Sequence, residues 1–332
     1  MTKRYRVGLI GCGGIANTHA KVLSNLDRAQ LVAFCDVAVD RATVFNQKYG
    51  NGQASVYGDF GRMFDREKLD IVYICLPPFA HTNEVEQAAQ RGVHIFIEKP
   101  IALNRAAAAR MVKAVKKGRV KSQVGFMLRF GEAVERVKKL IDSGEAGEVG
   151  WAIGTYRCNS LHGPWWRDKS KSGGQVVEQI IHTYDIIRYL CGEPVAAFGF
   201  LNNVFHRHVK DYTVEDVSTA SIRFKNGAVA SVAGTNGAIP GKWQAAFSIV
   251  CRNMTVEFTD WNHATIYHTD KNPVATTTIS SDRDVAQAET LDFVHAIDSN
   301  GQTRTPMSEG ARTLDLVLAV TESGETGKIV RL

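Results

Sequence analysis

Tyr5-Arg6-Val7-Gly8-Leu9-Ile10-Gly11-Cys12-Gly13-Gly14-Ile15-Ala16 is a short apolar run that ends in a glycine turn and leads into an amphipathic stretch. The turn has the spacing G-x-G-x-x-A. Glycines at such a turn let the backbone approach a pyrophosphate, and the helix that follows offers its unbonded N–H groups and the positive end of its dipole. A carboxylate about 20 residues further on belongs to the same pattern. Asp36 supplies it at the end of Leu31-Val32-Ala33-Phe34-Cys35. There it can accept hydrogen bonds from adenosine ribose hydroxyls and repel a 2′-phosphate, which favours NAD over NADP. Arg41 nearby leaves room for a phosphate, and a helix or turn cap is the structural alternative for Asp36. The expected nucleotide contacts are thus Gly11, Gly13, Gly14, Ile15, Ala16 and Asp36.

Working outward, β-branched runs alternate with longer amphipathic stretches as far as about residue 126. The runs are YRVGLIG, AQLVAFCD, LDIVYICLPP, GVHIFIEKP and KSQVGFML. Such alternation predicts βαβ units and a Rossmann-type doubly wound parallel sheet. Helices are expected over 15–26, 40–49, 81–91 and 104–117, with Asn104 as an N-cap and Gly92 and Gly118 as stops. The pattern then changes. Strands are expected over 150–159, 195–205, 213–224, 227–237, 245–258 and 264–269, with a hairpin turn at Lys225-Asn226-Gly227. Helices are expected at 175–191, 284–299 and 308–322. The chain therefore reads as an α/β domain over 1–123 and an α+β domain over 124–332, the latter a mostly antiparallel sheet with helices on one face.

Length and composition agree with this division. At roughly 150 residues per domain, 332 residues make about two, and 44% hydrophobic with 22% charged residues speaks against disorder. A net charge of +6 is scattered, with only short pairs such as Lys116-Lys117 and Lys138-Lys139. That is a poor nucleic-acid stripe or membrane anchor, and it suits an anionic ligand as well. No apolar run approaches the roughly 18 residues of a membrane span, and the start shows no cleavage pattern, so a soluble cytoplasmic protein is expected. The six cysteines are widely spread without a CxxC pair, which predicts reduced thiols and no metal. His206-Arg207-His208 lacks a third ligand nearby and is expected on a solvated strand face.

Three motifs together carry a resemblance: the glycine turn, Leu76-Pro77-Pro78-Phe79-Ala80-His81, and Glu98-Lys99-Pro100. They resemble the family of glucose-fructose oxidoreductase, inositol dehydrogenase and MocA proteins. The likeness continues through Val124 to Phe130, Leu140 to Glu145, Ser172 to Asp185 and Gly310 to Leu332. It implies a dinucleotide-dependent oxidoreductase acting on sugars or cyclic polyols. It also implies an open C-terminal sheet used for substrate binding and for forming a homodimer or homotetramer, and cofactor contacts from Pro77, His81, Glu98 and Lys99.

Oxidising a secondary alcohol needs a hydride acceptor, a base for the hydroxyl proton and positive charge near the developing alkoxide. Lys99 follows a parallel strand at the edge where doubly wound sheets bind ligands, and the resemblance implies that it hydrogen-bonds the reacting hydroxyl. Glu178, His182 and Asp185 are spaced to share one face of a helix, where a polar stripe has to meet polar partners or a water-filled cleft, and all three are expected substrate contacts. The resemblance implies that His182 is the proton acceptor. Glu178 replaces the family's usual aspartate, and Ile180 stands where many relatives have glycine, so the pocket differs from the best-known members. Arg129, Trp165 and Arg167 are further expected substrate contacts, with Trp165-Trp166 as an aromatic platform and Tyr156, Asn159 and His162 as additional lining. Two other readings remain at this stage: a glycoside hydrolase that uses bound NAD in a transient oxidation and elimination, and a non-catalytic sensor, against which the presence of both Lys99 and His182 speaks.

Overall fold

A computed structural model describes residues 3–332. The chain forms two compact units, one of Met1–Gly125 with Ala286–Ala311, the other of Phe126–Val285 with Arg312–Leu332. The first crossing falls two residues beyond the boundary expected at 123. A single boundary nevertheless fails, because 286–311 returns to the first unit. Phe293 accounts for the return. Its ring meets Tyr73 and Phe96 edge-on at 6.3 and 6.1 Å, while those two stack at 4.4 Å. The Thr305 carbonyl then accepts from Val124 N, and the Thr305 hydroxyl donates to the Val124 carbonyl.

The first unit holds the parallel sheet. Its strands are β1 (Tyr5–Ile10), β2 (Ala29–Cys35), β3 (Ser55–Tyr57), β4 (Ile71–Ile74), β5 (His94–Ile97) and β6 (Ser122–Val124), in the order β3-β2-β1-β4-β5-β6. All pairings are parallel. Chain order reverses between β1 and β4, which makes the ends of those strands the switch point where such sheets bind ligands. β4 is buried at every position, as expected of a strand covered on both faces. The short β3 and the helix Phe60–Arg66 lacked a periodic signal. Asn104 caps its helix by accepting from Ala107 N, but the stop is Arg119 in the left-handed region, not Gly118. Gly118 serves packing instead, since a Cβ there would strike the Ala89 carbonyl.

The second unit is a nine-stranded sheet. In chain order its strands are β7 (Val149–Arg157), β8 (Pro194–Asn202), β9 (Val217–Phe224), β10 (Val229–Thr235), β11 (Gln244–Cys251), β12 (Met254–Phe258), β13 (Ala264–His268), β14 (Ala275–Ile279) and β15 (Val330–Arg331). They lie in the order β14-β13-β12-β11-β7-β10-β9-β8-β15, antiparallel except between β7 and β10. One register row runs Gly154, Val232, Ala220, Gly199. The helix Ile181–Cys191 packs on Gly154 and the helix Met307–Thr326 on Gly199, so both cover the same face. The other face leaves Trp151, Phe200 and Val229 exposed.

Several expected elements are shorter or divided. The stretch 245–258 is a hairpin turning at Arg252-Asn253, where the Asn253 amide donates to Glu145 O. The segment 213–216 is not strand, because Glu215 and Asp216 spend their carboxylates on backbone N–H groups of Val176, Val204, Phe205 and His206. His206 consequently sits in a loop against Asp216, off any strand face. Most important for function, the helix expected over 175–191 is two, Gln175–Glu178 and Ile181–Cys191, separated at Gln179-Ile180.

Candidate active site

In the first unit the glycine turn has the shape its sequence requires. Gly11 lies at φ +86°, and a Cβ there would stand 2.6 Å from the Cys75 carbonyl oxygen. Only glycine fits that backbone and that gap. A Cβ on Gly13 or Gly14 would meet nothing within 4 Å. The helix Gly14–Ser24 begins behind this open space with no side-chain cap, so its first N–H groups remain for an anion. The cradle therefore fits a dinucleotide pyrophosphate. Asp36 accepts from Cys12 N and Ala38 N, one on each oxygen, both at 2.8 Å. It is thus a turn cap, and each oxygen keeps a lone pair. Val37 beside it is 93% exposed, an apolar face the sequence did not single out. Burial, then the Asp36 charge, pushes the Cys12 thiol up to about 12.

After β4, Pro77 leads into a 3₁₀ turn at Pro78–Ala80. His81 was expected to touch the cofactor, but its ring is enclosed, with Nδ1 2.6 Å from the fully buried Glu84. That pairing starts the helix Glu84–Gln90 and is a structural use of the histidine. After β5, Glu98 N donates to Ile74 O, and Lys99 N donates to the Glu98 carboxylate at 3.2 Å. The same carboxylate meets His19 at 2.7 Å. His19 was missed. Its signal was present, since a histidine sits among Ala16, Ala20 and Leu23 on the buried face of the first helix.

In the second unit, Trp166 Nε1 donates to Glu178 Oε2 at 2.7 Å. His182 lies in the first turn of the following helix, half-buried, with its ring edge-on to Phe126 at 6.3 Å. Because the helix is interrupted between them, Glu178 and His182 do not share an unbroken helical face. Ile180 fills the break and packs against Gly234, where any Cβ would collide with it. His162 lies in the left-handed region at φ +54°, its ring tilted against Trp166 at 4.1 Å. Trp243, 56% exposed, meets the His162 ring at 5.4 Å and Tyr156 at 6.5 Å. Some 80 residues separate it from those partners, so no local pattern revealed it. Burial raises the Tyr156 phenol. Gln179 holds His162 from the helix break, Nε2 to Nε2 at 3.0 Å.

Four expected substrate contacts have other work. Arg129 and Asp185 form a fully buried ion pair. Arg167 donates to the carbonyls of Leu161 and His162, both at 2.9 Å, bracing their loop. Trp165 packs on the small cluster of Trp166, Tyr212 and Val214. Asn159 ties to Ala238 O. No group of His, Cys, Asp and Glu among the described residues is arranged to hold a metal ion, and no described helix is long and apolar enough to cross a membrane.

The sequence of the first unit matches the oxidoreductase family with an NAD-binding Rossmann fold over residues 5–126, and 134–257 match the GFO/IDH/MocA C-terminal domain. The chain belongs to the Gfo/Idh/MocA family. It is an NAD-binding oxidoreductase. Among its relatives, the myo-inositol 2-dehydrogenase of Thermotoga maritima is 30% identical over 238 residues, 71% of this chain and 70% of that one. The scyllo-inositol 2-dehydrogenase (NAD(+)) of Bacillus subtilis is 31% identical over 237 residues, 70% of this chain and 67% of that one. A levoglucosan dehydrogenase solved with NADH and levoglucosan superposes with a TM-score of 0.91 at 22% identity, covering 99% of both chains, which establishes the shared Gfo/Idh/MocA fold.

Proposed function

We propose that this oxidoreductase reversibly oxidises a ring secondary alcohol of a sugar, sugar derivative or cyclitol to the ketone. The observation that carries this reading is the hydrogen bond between Trp166 and Glu178 just ahead of His182. It joins a fixed carboxylate and a histidine base within one short stretch, and the exposed Trp243 ring beside His162 offers the aromatic face that the buried Trp166 cannot. A polyol ring asks for that combination: acceptors for its hydroxyls, an apolar plane for its C–H surface and a base for one proton. The inositol dehydrogenases among the relatives support the substrate class.

NAD, when bound, supplies the hydride acceptor. The N–H groups behind Gly13 and Gly14 hold the pyrophosphate, the spare lone pairs of Asp36 take the adenosine ribose hydroxyls, and Val37 offers the adenine an apolar face. Lys99 donates a hydrogen bond to the reacting oxygen and stabilises its growing negative charge. His182 accepts the hydroxyl proton. Glu178, fixed by Trp166, accepts from a neighbouring ring hydroxyl. The bare sheet face with Trp151, Phe200 and Val229 supports assembly as a homodimer or homotetramer.

The test is a screen of purified protein with NAD or NADP against monosaccharides, anhydrosugars, inositols and chromogenic glycosides. NADH absorbance and released aglycone are followed together. Stoichiometric NADH from a free sugar or cyclitol is the expected result. Aglycone release without net NADH replaces the reading with redox-assisted glycoside hydrolysis.

A further inference from the structure

We propose that His19 is a positioning residue for Lys99, holding the Glu98 carboxylate that in turn holds the Lys99 backbone N–H at the exit of β5. His19 is 1% exposed. Its ring lies against Phe96 at 4.7 Å and Tyr73 at 5.5 Å, which leaves it no room to swing. Nε2 stands 2.7 Å from Glu98 Oε1, while Nδ1 has no hydrogen-bond partner among the described residues. A proton on Nδ1 has no acceptor, so the geometry puts the ring proton on Nε2, donated to the carboxylate.

Glu98 is itself buried, at 7% exposure. Its second oxygen accepts from Lys99 N at 3.2 Å. On its far side stands Gly125, where a Cβ would come within 2.8 Å of Oε1. The carboxylate is therefore confined by a donor on each oxygen and by a wall that is bare of side chain. Burying such a group is costly unless each of its hydrogen bonds is made, and an apolar pair would fill the same space at less cost. The polar arrangement gains a connection. His19 belongs to the helix whose first turn faces the open glycine cradle, and Lys99 is the residue assigned to the reacting oxygen, so two hydrogen bonds fix the second from the first. A misplacement of about 1 Å at a reacting group costs roughly a hundredfold in rate.

The catalytic half of this inference rests on the role proposed for Lys99; the structural half does not. The experiment compares His19→Met, which fills the space without a donor, with His19→Gln, whose amide nitrogen reaches about as far as Nε2. Hydrogen exchange is read over the β5 exit, where Pro100 has no amide and the signal reports Glu98 and Lys99. Turnover and NAD affinity are read with the substrate from the screen. In H19M, exchange at the exit should rise about tenfold or more and kcat should fall about ten- to a hundredfold. KM for NAD should stay within about twofold, and H19Q should restore both readouts to within about threefold of the parent. Unchanged exchange and kcat in H19M overturn the proposal, as does an H19Q indistinguishable from H19M. If H19M lacks a melting transition, His19→Asn, too short to reach Glu98, takes its place under the same criteria. If the parent protein turns over no ring alcohol, the proposed function falls and the exchange measurement alone decides whether His19 holds the exit.

Discussion

Arg129 and Asp185 meet through two parallel hydrogen bonds, Nε to Oδ2 and Nη2 to Oδ1, each 2.7 Å, with both side chains 1% exposed. Thr313 donates a third hydrogen bond to Asp185 at 2.8 Å, and the guanidinium lies 4.5 Å from the Tyr189 ring. The pair ties the turn Met127–Phe130, the helix Ile181–Cys191 and the final helix together. It is therefore a brace behind His182, and not a pair of substrate contacts. Removing one partner of a buried pair strands the other charge, which costs about 3–5 kcal/mol. Asp185→Asn should lower the unfolding free energy by about that amount in a denaturant titration. The double replacement Arg129→Met with Asp185→Leu should recover most of it. A loss below about 1 kcal/mol for Asp185→Asn would show that the pair is not a brace.

The first unit was the more legible. Its five main strands and its glycine turn were written in local signals, because a doubly covered strand is apolar throughout and a phosphate turn needs glycine at fixed spacing. The return of 286–311 was not, since Phe293 reaches Tyr73 across more than 200 residues. At the site, local spacing put Glu178 and His182 on one helix, whereas they belong to two. Ile180, anchored over Gly234, interrupts the helix, and nothing in a periodicity of 3.6 records a partner strand 54 residues away. The family resemblance pointed Arg129 at the pocket, and the polar stripe on its helix pointed Asp185 there; each instead spends its hydrogen bonds on the other.

Asp36 caps two backbone N–H groups and still has lone pairs for a ribose. Asp36→Ala should weaken NAD binding and raise the preference for NADP relative to NAD by about tenfold, as the carboxylate's repulsion of a 2′-phosphate is lost. The ratio of the two dissociation constants is the measurement, because damage to the turn affects both cofactors alike. An unchanged ratio removes Asp36 from cofactor discrimination.

Glu84 carries a pH signature. Burial pushes its carboxyl up, but the hydrogen bond and charge of His81, with the Thr82 N–H, outweigh burial and leave it below the usual value of 4.5. A carboxylate lowered on folding contributes stability above its unfolded pKa and loses it as pH falls through the folded one. Glu84→Gln should therefore cost about 1–3 kcal/mol near neutrality, and the gap to the parent should close as pH falls below about 4.5. Melting curves from pH 7 to pH 3.5 read the gap; one that widens on acidification contradicts this account.

All six cysteines are buried and unpaired. Burial holds the Cys35 and Cys191 thiols at about 12 and Cys251 at about 11, so at pH 8 each is almost wholly protonated and unreactive. Dithionitrobenzoate at pH 8 should titrate less than about one thiol per native chain and all six in guanidinium. Rapid native labelling of several thiols would mean that these cores open readily.

His182 is the residue on which the proposed chemistry turns. It sits half-buried at the start of its helix, just past the break that Ile180 makes, and its ring is steadied by the edge contact with Phe126. Loss of a general base costs about two to four orders of magnitude, so His182→Ala should lower kcat by that factor while NAD binding stays within about twofold of the parent. The acid limb of the kcat/KM profile should flatten in the variant, since that limb reports the base that must be unprotonated. Turnover near the parent value in a folded variant assigns the proton to another group, and a kcat loss with the acid limb unmoved assigns His182 to holding the substrate.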